Sequence, residues 1–180
     1  MTMLDRFAPD ARRTVVRAGR LAVESERACL TDAFLLAALA EARPVGAAPD
    51  DVGAAAGARP GRDRELLATL GIDLDEVRRR VGEATAARAD DPALWTLRRA
   101  PLHPLRVTLA GPSTAIVLDE SARKAVEVAF WAARRAHRAH AGLDDLLWGL
   151  LADGAGGAVG VLRDLGVDRG ALWADLRRAA

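Results

Sequence analysis

Asp32-Ala33-Phe34-Leu35-Leu36-Ala37, preceded by Thr31, is the stretch on which the reading of this chain turns. A similar run, Asp144-Asp145-Leu146-Leu147-Trp148-Gly149, follows at an offset of 112 (144 − 32). Upstream, Phe7-Ala8-Pro9-Asp10-Ala11-Arg12-Arg13-Thr14-Val15 lies over Leu118-Asp119-Glu120-Ser121-Ala122-Arg123-Lys124-Ala125-Val126 at an offset of 111 (118 − 7). Downstream, Leu66-Leu67-Ala68-Thr69-Leu70-Gly71-Ile72-Asp73 matches Val161-Leu162-Arg163-Asp164-Leu165-Gly166-Val167-Asp168 at an offset of 95 (166 − 71). Three matches in one order are the signature of a duplicated unit. The fall in offset requires 17 extra residues in the first copy (112 − 95), and the Ala-, Gly- and Pro-rich segment 43–62 is read as an inserted loop.

Apolar residues recur at helical spacing in each copy, with capping residues and glycines between the runs, so each copy reads as four helices. In the second copy Val126, Phe130, Ala133 and His137 mark one face of a helix from Asp119 to Arg138, and Leu143, Leu146, Leu147, Leu150 and Leu151 mark the next. A third helix runs through Val159, Leu162 and Leu165 to a left-handed stop at Gly166; Asp168 caps the fourth, which carries Leu172 and Leu176. The first copy repeats the plan over Pro9 to Ser25, Thr31 to Glu41, Arg62 to Leu70 and Asp73 to Arg88. The predicted fold class is therefore all-α, with eight helices in two pseudo-twofold four-helix repeats. One domain is expected over 1–180: repeat 1 at 1–89 with its insert at 43–62, a linker at 90–117, and repeat 2 at 118–180. The linker holds Pro92, Pro101, Pro104 and Pro112, half of the eight prolines, so no helix crosses it. Two readings of it stand: a short β-hairpin of Leu105–Leu109 with Thr114–Leu118, or an extended segment draped over the helices.

Composition excludes several classes of function. Of 26 basic residues 25 are Arg, and the single lysine, Lys124, has no glycine-rich loop before it, so a phosphate-binding P-loop is excluded. Residues 7–82 carry 12 basic and 12 acidic groups and residues 118–180 carry 9 of each, a balance that gives no field for nucleic acid. Cys29 is the only cysteine, which excludes an internal disulfide or a cysteine-based zinc cluster. Charged residues interrupt every apolar run well short of the roughly 20 residues that span a bilayer. With no basic start joined to a long apolar stretch, a cytoplasmic location away from membranes is expected.

These words in this order resemble the Clp N-terminal domain, the double Clp-N repeat of the ClpA and ClpC chaperones. The resemblance rests on Phe7-x-x-x-Ala11-Arg12-Arg13, on Thr31-Asp32-Ala33-Phe34-Leu35-Leu36 against the family's Thr-Glu-His-Leu-Leu-Leu, and on Leu67-x-x-Leu70-Gly71-Ile72-Asp73, with their second-copy partners. It implies a non-catalytic module that recognises adaptors, substrates or phosphoarginine-marked proteins, here without ATPase modules and acting as an adaptor, substrate or regulator of a Clp protease system. From another class, a decoy that sequesters small molecules or cyclic peptides aimed at Clp chaperones is the alternative. By position the resemblance implies a peptide-binding groove of Leu4, Arg12, Val15, Val16, Leu118, Arg123 and Glu127. It also implies a phosphoarginine-like site at Thr31, Asp32 and Asp144, each Asp one methylene shorter than the family's Glu; in the second copy the Thr is Leu143.

Other constellations carry less. His137 and His140 near Asp144 and Asp145 read as a polar helix end whose cations offset the C-terminal dipole, so no metal is expected and no cofactor is implied. Gly111-Pro112-Ser113-Thr114-Ala115 lacks the second glycine of a nucleophile elbow. Trp148 falls within an apolar run, whereas Trp131 and Trp173 fall off the apolar stripes, a position compatible with an interface or with cover by the linker.

Overall fold

The computed structural model describes residues 2–57, 91–112 and 114–179. After a 3₁₀ turn at Met3–Arg6 come α1 (Pro9–Glu24), β1 (Cys29–Leu30), α2 (Asp32–Ala42) and α3 (Pro49–Ala55). Beyond a second 3₁₀ turn at Pro92–Leu94 follow β2 (Thr96–Arg99), β3 (Val107–Gly111), β4 (Thr114–Leu118), α4 (Glu120–Arg135), α5 (Leu143–Ala152), α6 (Gly157–Asp164) and α7 (Arg169–Ala179). The protein is mostly helical, with seven α-helices among the described residues. The helices expected at 62–70 and 73–88 lie outside those residues, so the count of eight is not reached on what is described.

Local chemistry accounts for the helix ends. Pro9 occupies the first turn of α1, where an absent N–H costs nothing, and Asp119 caps α4 by accepting from the Ala122 N–H at 2.7 Å. Gly166, with φ +69°, stops α6, and Asp168 caps α7 through the Gly170 and Ala171 N–H groups. α4 ends at Arg135 rather than Arg138: His137 takes φ +54° and is exposed, so it does not extend the apolar face of Val126, Phe130 and Ala133.

The linker forms a hairpin and more, which corrects the all-α expectation. β3 and β4 pair antiparallel from Thr108↔Val117 to Gly111↔Thr114, β2 adds antiparallel to β3, and β1 adds parallel to β4. The result is a four-stranded sheet in the order β1-β4-β3-β2. Alternation drives it: Leu97, Val107, Leu109, Ile116 and Leu118 are buried while their neighbours are not, as expected of a sheet with one covered face. Trp95 is buried with them, its ring against Gly111.

A shift of 111 relates the two halves of the described chain. It carries α1 onto α4 (9 to 120, 24 to 135) and the left-handed Glu26 (φ 55°) onto His137 (φ 54°). It also exchanges two parallel bridges, since Leu30↔Leu118 becomes Ala141↔Phe7. The same shift holds for the next helices, where the N-cap Thr31 corresponds to Gly142. This corrects the offset of 112: Asp32 stands opposite Leu143, and Asp144 and Asp145 stand opposite Ala33 and Phe34. The segment 43–62 is likewise not simply a loop. It contains α3, whose last turn and left-handed Gly57 repeat those of α6 and Gly166 at an offset of 109 (166 − 57), including matched bonds Ala56 N–H to Val52 O and Leu165 N–H to Val161 O. α3 packs on α2 and buries Val52 completely.

One core joins the halves, and within it the backbones of α4 and α5 approach closely at Ala125 and Gly149. A methyl at Gly149 of α5 would overlap the main-chain carbonyl of Ala125 in α4, whereas a methyl at Gly154 meets nothing within 4 Å. Gly149→Ala is therefore expected to destabilise by about 1–3 kcal/mol through overpacking, and Gly154→Ala to stay within about 0.5 kcal/mol of the parent. Urea denaturation of the two variants checks this; equal midpoints would mean that α4 and α5 are not in backbone contact.

Candidate functional site

The groove expected where the N-terminal segment meets the starts of α1 and α4 is closed. Leu4, Val15, Val16 and Leu118 are all core residues, none more than 4% exposed. The physical reason is the sheet: its β4 touches both α1 and α4, and the turn holding Leu4 packs on β2. The polar members are engaged in ion pairs. Arg12 reaches Asp5 at 3.4 Å. Glu127 is held by Arg123 at 3.0 Å and by Arg99 of β2 at 2.6 Å, which fastens the sheet to α4.

The helix-start carboxylates also have structural work. Asp32 is 3% exposed, and its Oδ2 accepts the Ala158 N–H of α6 at 3.0 Å. The N-cap of α6 is Gly156, which has no side chain to cap with, so Asp32 supplies the cap from another helix. Gly156 and Gly157 make room for it, since a Cβ on either would lie 2.6 or 2.8 Å from a carboxylate oxygen. The Asp32 carboxylate is thus buried and used as a cap within the fold. Thr31 caps α2 through its backbone only, and Asp144 is paired with Arg43, so the three do not form one open site. Asp145, which no sequence reading singled out alone, is the buried acid of the second half. It accepts the Gly142 N–H at 2.9 Å and Arg138 at 2.7 Å. Burial pushes its carboxyl above the ordinary range, against the pull of Gly142 and Arg138. Burial likewise raises Asp119, opposed by its Ala122 hydrogen bond and reinforced by the charge of Asp32.

An open groove lies elsewhere, between the second half of α4, the start of α5 and α7. Its volume is about 280 Å³, and Trp131, Trp148, Leu176, Arg135, Arg138 and Asp144 are among its walls. Trp148 is braced from behind by Trp173, edge-on at 4.7 Å between ring centroids. Trp131 is 49% exposed, with the Arg135 guanidinium over its ring at 5.5 Å. The off-stripe positions of Trp131 and Trp173 were the signal for this place in the sequence. Its depth was not legible, because α7 approaches α5 from far along the chain. Among the described residues no group of His, Cys, Asp and Glu side chains is arranged to hold a metal ion.

No family model matches the chain, and no curated protein sequence does. A solved structure does: the N-terminal domain of the caseinolytic-protease-associated chaperone ClpD from Arabidopsis thaliana, at 17% identity and a TM-score of 0.56, with 97% of each chain covered. The fold is Clp N-terminal domain-like. Within this Clp N-terminal domain-like fold the two groove tryptophans have no counterpart in the first half among the described residues. At the positions related by 111, Trp131 becomes Arg20 and Trp148 becomes Ala37. Asp32, by contrast, serves the fold itself. Asp32→Ala is expected to cost about 1–3 kcal/mol by leaving the Ala158 N–H buried without a partner, while Asp32→Asn retains an acceptor and loses less. Thermal melts of the pair check this. A melt unchanged by Asp32→Ala would free the carboxylate for a ligand.

Proposed function

We propose that this chain is a non-catalytic protein- or peptide-recognition module that works in the cytoplasm as an adaptor-, substrate- or regulator-type component of a Clp protease system. The observation that carries the reading is the open, aromatic-walled groove set on a fold shared with the N-terminal domain of a Clp-associated chaperone. Interfaces concentrate their energy in aromatic and arginine anchors seated in such pockets, and Trp131, Trp148 and Arg135 are residues of that kind. The absence of a P-loop from the sequence supports a role without ATP hydrolysis of its own. Capture of a small molecule or cyclic peptide at the face of Leu4, Val15 and Leu118 has less support, because those side chains are packed.

The test is reconstitution. Titrated into the Clp unfoldase and peptidase of the same cell, the purified chain is expected to change the degradation rate of a fluorescent substrate saturably, and alone to hydrolyse no ATP. A folded chain that leaves the rate unchanged at every concentration would remove the Clp assignment, and ATP turnover surviving repurification would remove the non-catalytic one.

A further inference from the structure

We propose that the groove between α4, α5 and α7 binds an acidic peptide, with an apolar side chain of that peptide between Trp131, Trp148 and Leu176 and its carboxylates on Arg134 and Arg135. The proposal rests on the recognition reading above and adds the chemistry of the ligand. A volume of about 280 Å³ lies just below the roughly 300–1,000 Å³ of small-molecule pockets, the scale of one large side chain rather than of a cofactor.

Charge selects the ligand. The exposed run Arg134–His140 carries three arginines and two histidines and no acid. Arg138 is paired with Asp145, and the other carboxylate at the groove, Asp144, is taken by Arg43. Arg134 and Arg135 have no ion pair among the described residues. Arg134 stands just outside the groove's walls, on the flank of α4 next to Phe130, where Arg6 adds a third guanidinium: Arg6 lies over the Phe130 ring at 4.1 Å, and burial and then the nearby charge of Arg134 lower its pKa. Guanidiniums gathered without a carboxylate repel one another, and an incoming anion relieves that repulsion. The planar fork of Arg matches a carboxylate well.

The fold does not require this arrangement. Basic groups in the last turn of a helix are favoured by its dipole, yet α1 has the same length and the same left-handed exit as α4 and ends differently. Shifted by 111, Arg134, Arg135 and His137 become Val23, Glu24 and Glu26. The same backbone thus carries acids in one half and a basic run with an aromatic groove in the other. Nucleic acid is the less suited polyanion, because the net charge of the chain is only +1 and the groove is apolar within.

The probes are fluorescein-labelled glutamate-rich peptides with a central Trp, Phe or Ser, a lysine-rich series with the same centres, and oligo(dT), read by fluorescence anisotropy. The glutamate peptides centred on Trp or Phe are expected to bind at least about tenfold tighter than the lysine series, and to weaken as salt is raised. Arg134→Glu with Arg135→Glu, and separately Trp131→Ala, are expected to weaken them by about tenfold, while Arg163→Glu, away from the groove, leaves them unchanged; melting curves establish that each variant is folded. Equal binding of the lysine series, no effect of the Arg134/Arg135 reversal, equal binding of the Ser-centred peptide, or tighter binding of oligo(dT) would each overturn the proposal. A Clp effect that survives the charge reversal would leave the recognition reading standing and remove the acidic peptide. Peptide binding without any Clp effect would do the opposite.

Discussion

The two halves are held together by a reciprocal exchange of backbone. The residue leading into α1, Phe7, bridges Ala141 ahead of α5, and the residue leading into α4, Leu118, bridges Leu30 ahead of α2. Three further bonds fix the exchange: Ala8 N–H to Ala141 O and Ala141 N–H to Arg6 O at 2.8 Å each, and Asp119 N–H to Leu30 O at 2.9 Å. Each half therefore completes the loop of the other. Phe7, Leu30, Leu118 and Ala141 are buried, so the polar backbone groups there depend on these bonds, and the relative placement of four helix starts follows from them.

On this frame the halves diverge by side-chain size. Phe130 of α4 meets Phe7, with ring centroids 4.6 Å apart. The corresponding residue of α1 is Gly19, where an added methyl would collide with Leu109 of β3. The missing side chain is the seat of the sheet: Leu109 and Trp95 fill the space that Phe130 takes on the other side. That substitution turns the expected peptide face into core and moves the accessible aromatic surface to the far end of α4.

Polar groups follow the same logic of supply and demand. In the second half the Ala158 N–H at the start of α6 needs an acceptor and receives Asp32. At the matched place in the first half stands Pro49, which has no N–H, and the residue matched to Asp32 is Leu143. Where the donor is absent, the acceptor is absent too. The short side chain of Asp32 fits the cradle that Gly156 and Gly157 leave for it.

Helix positions were legible in the sequence because they depend on neighbours three and four residues apart: α1, α2, α5 and the Gly166 and Asp168 punctuation lie close to where periodicity and capping set them. The alternation around Gly111 left a hairpin and an extended linker both open, and it gave no sign of the recruitment of β1 from much earlier in the chain. The one-residue error in the register of the second helix arose because runs of Leu and Ala align almost as well at 112 as at 111; the left-handed exits at Glu26 and His137, the bridge Phe7↔Ala141 and the N-caps Thr31 and Gly142 separate them. The use of Asp32, the closure over Leu4 and Val15, and the groove at Trp131 were decided by the tertiary structure alone. Burial and hydrogen-bond satisfaction depend on which distant backbone arrives at a side chain, and no local pattern of residues encodes that arrival.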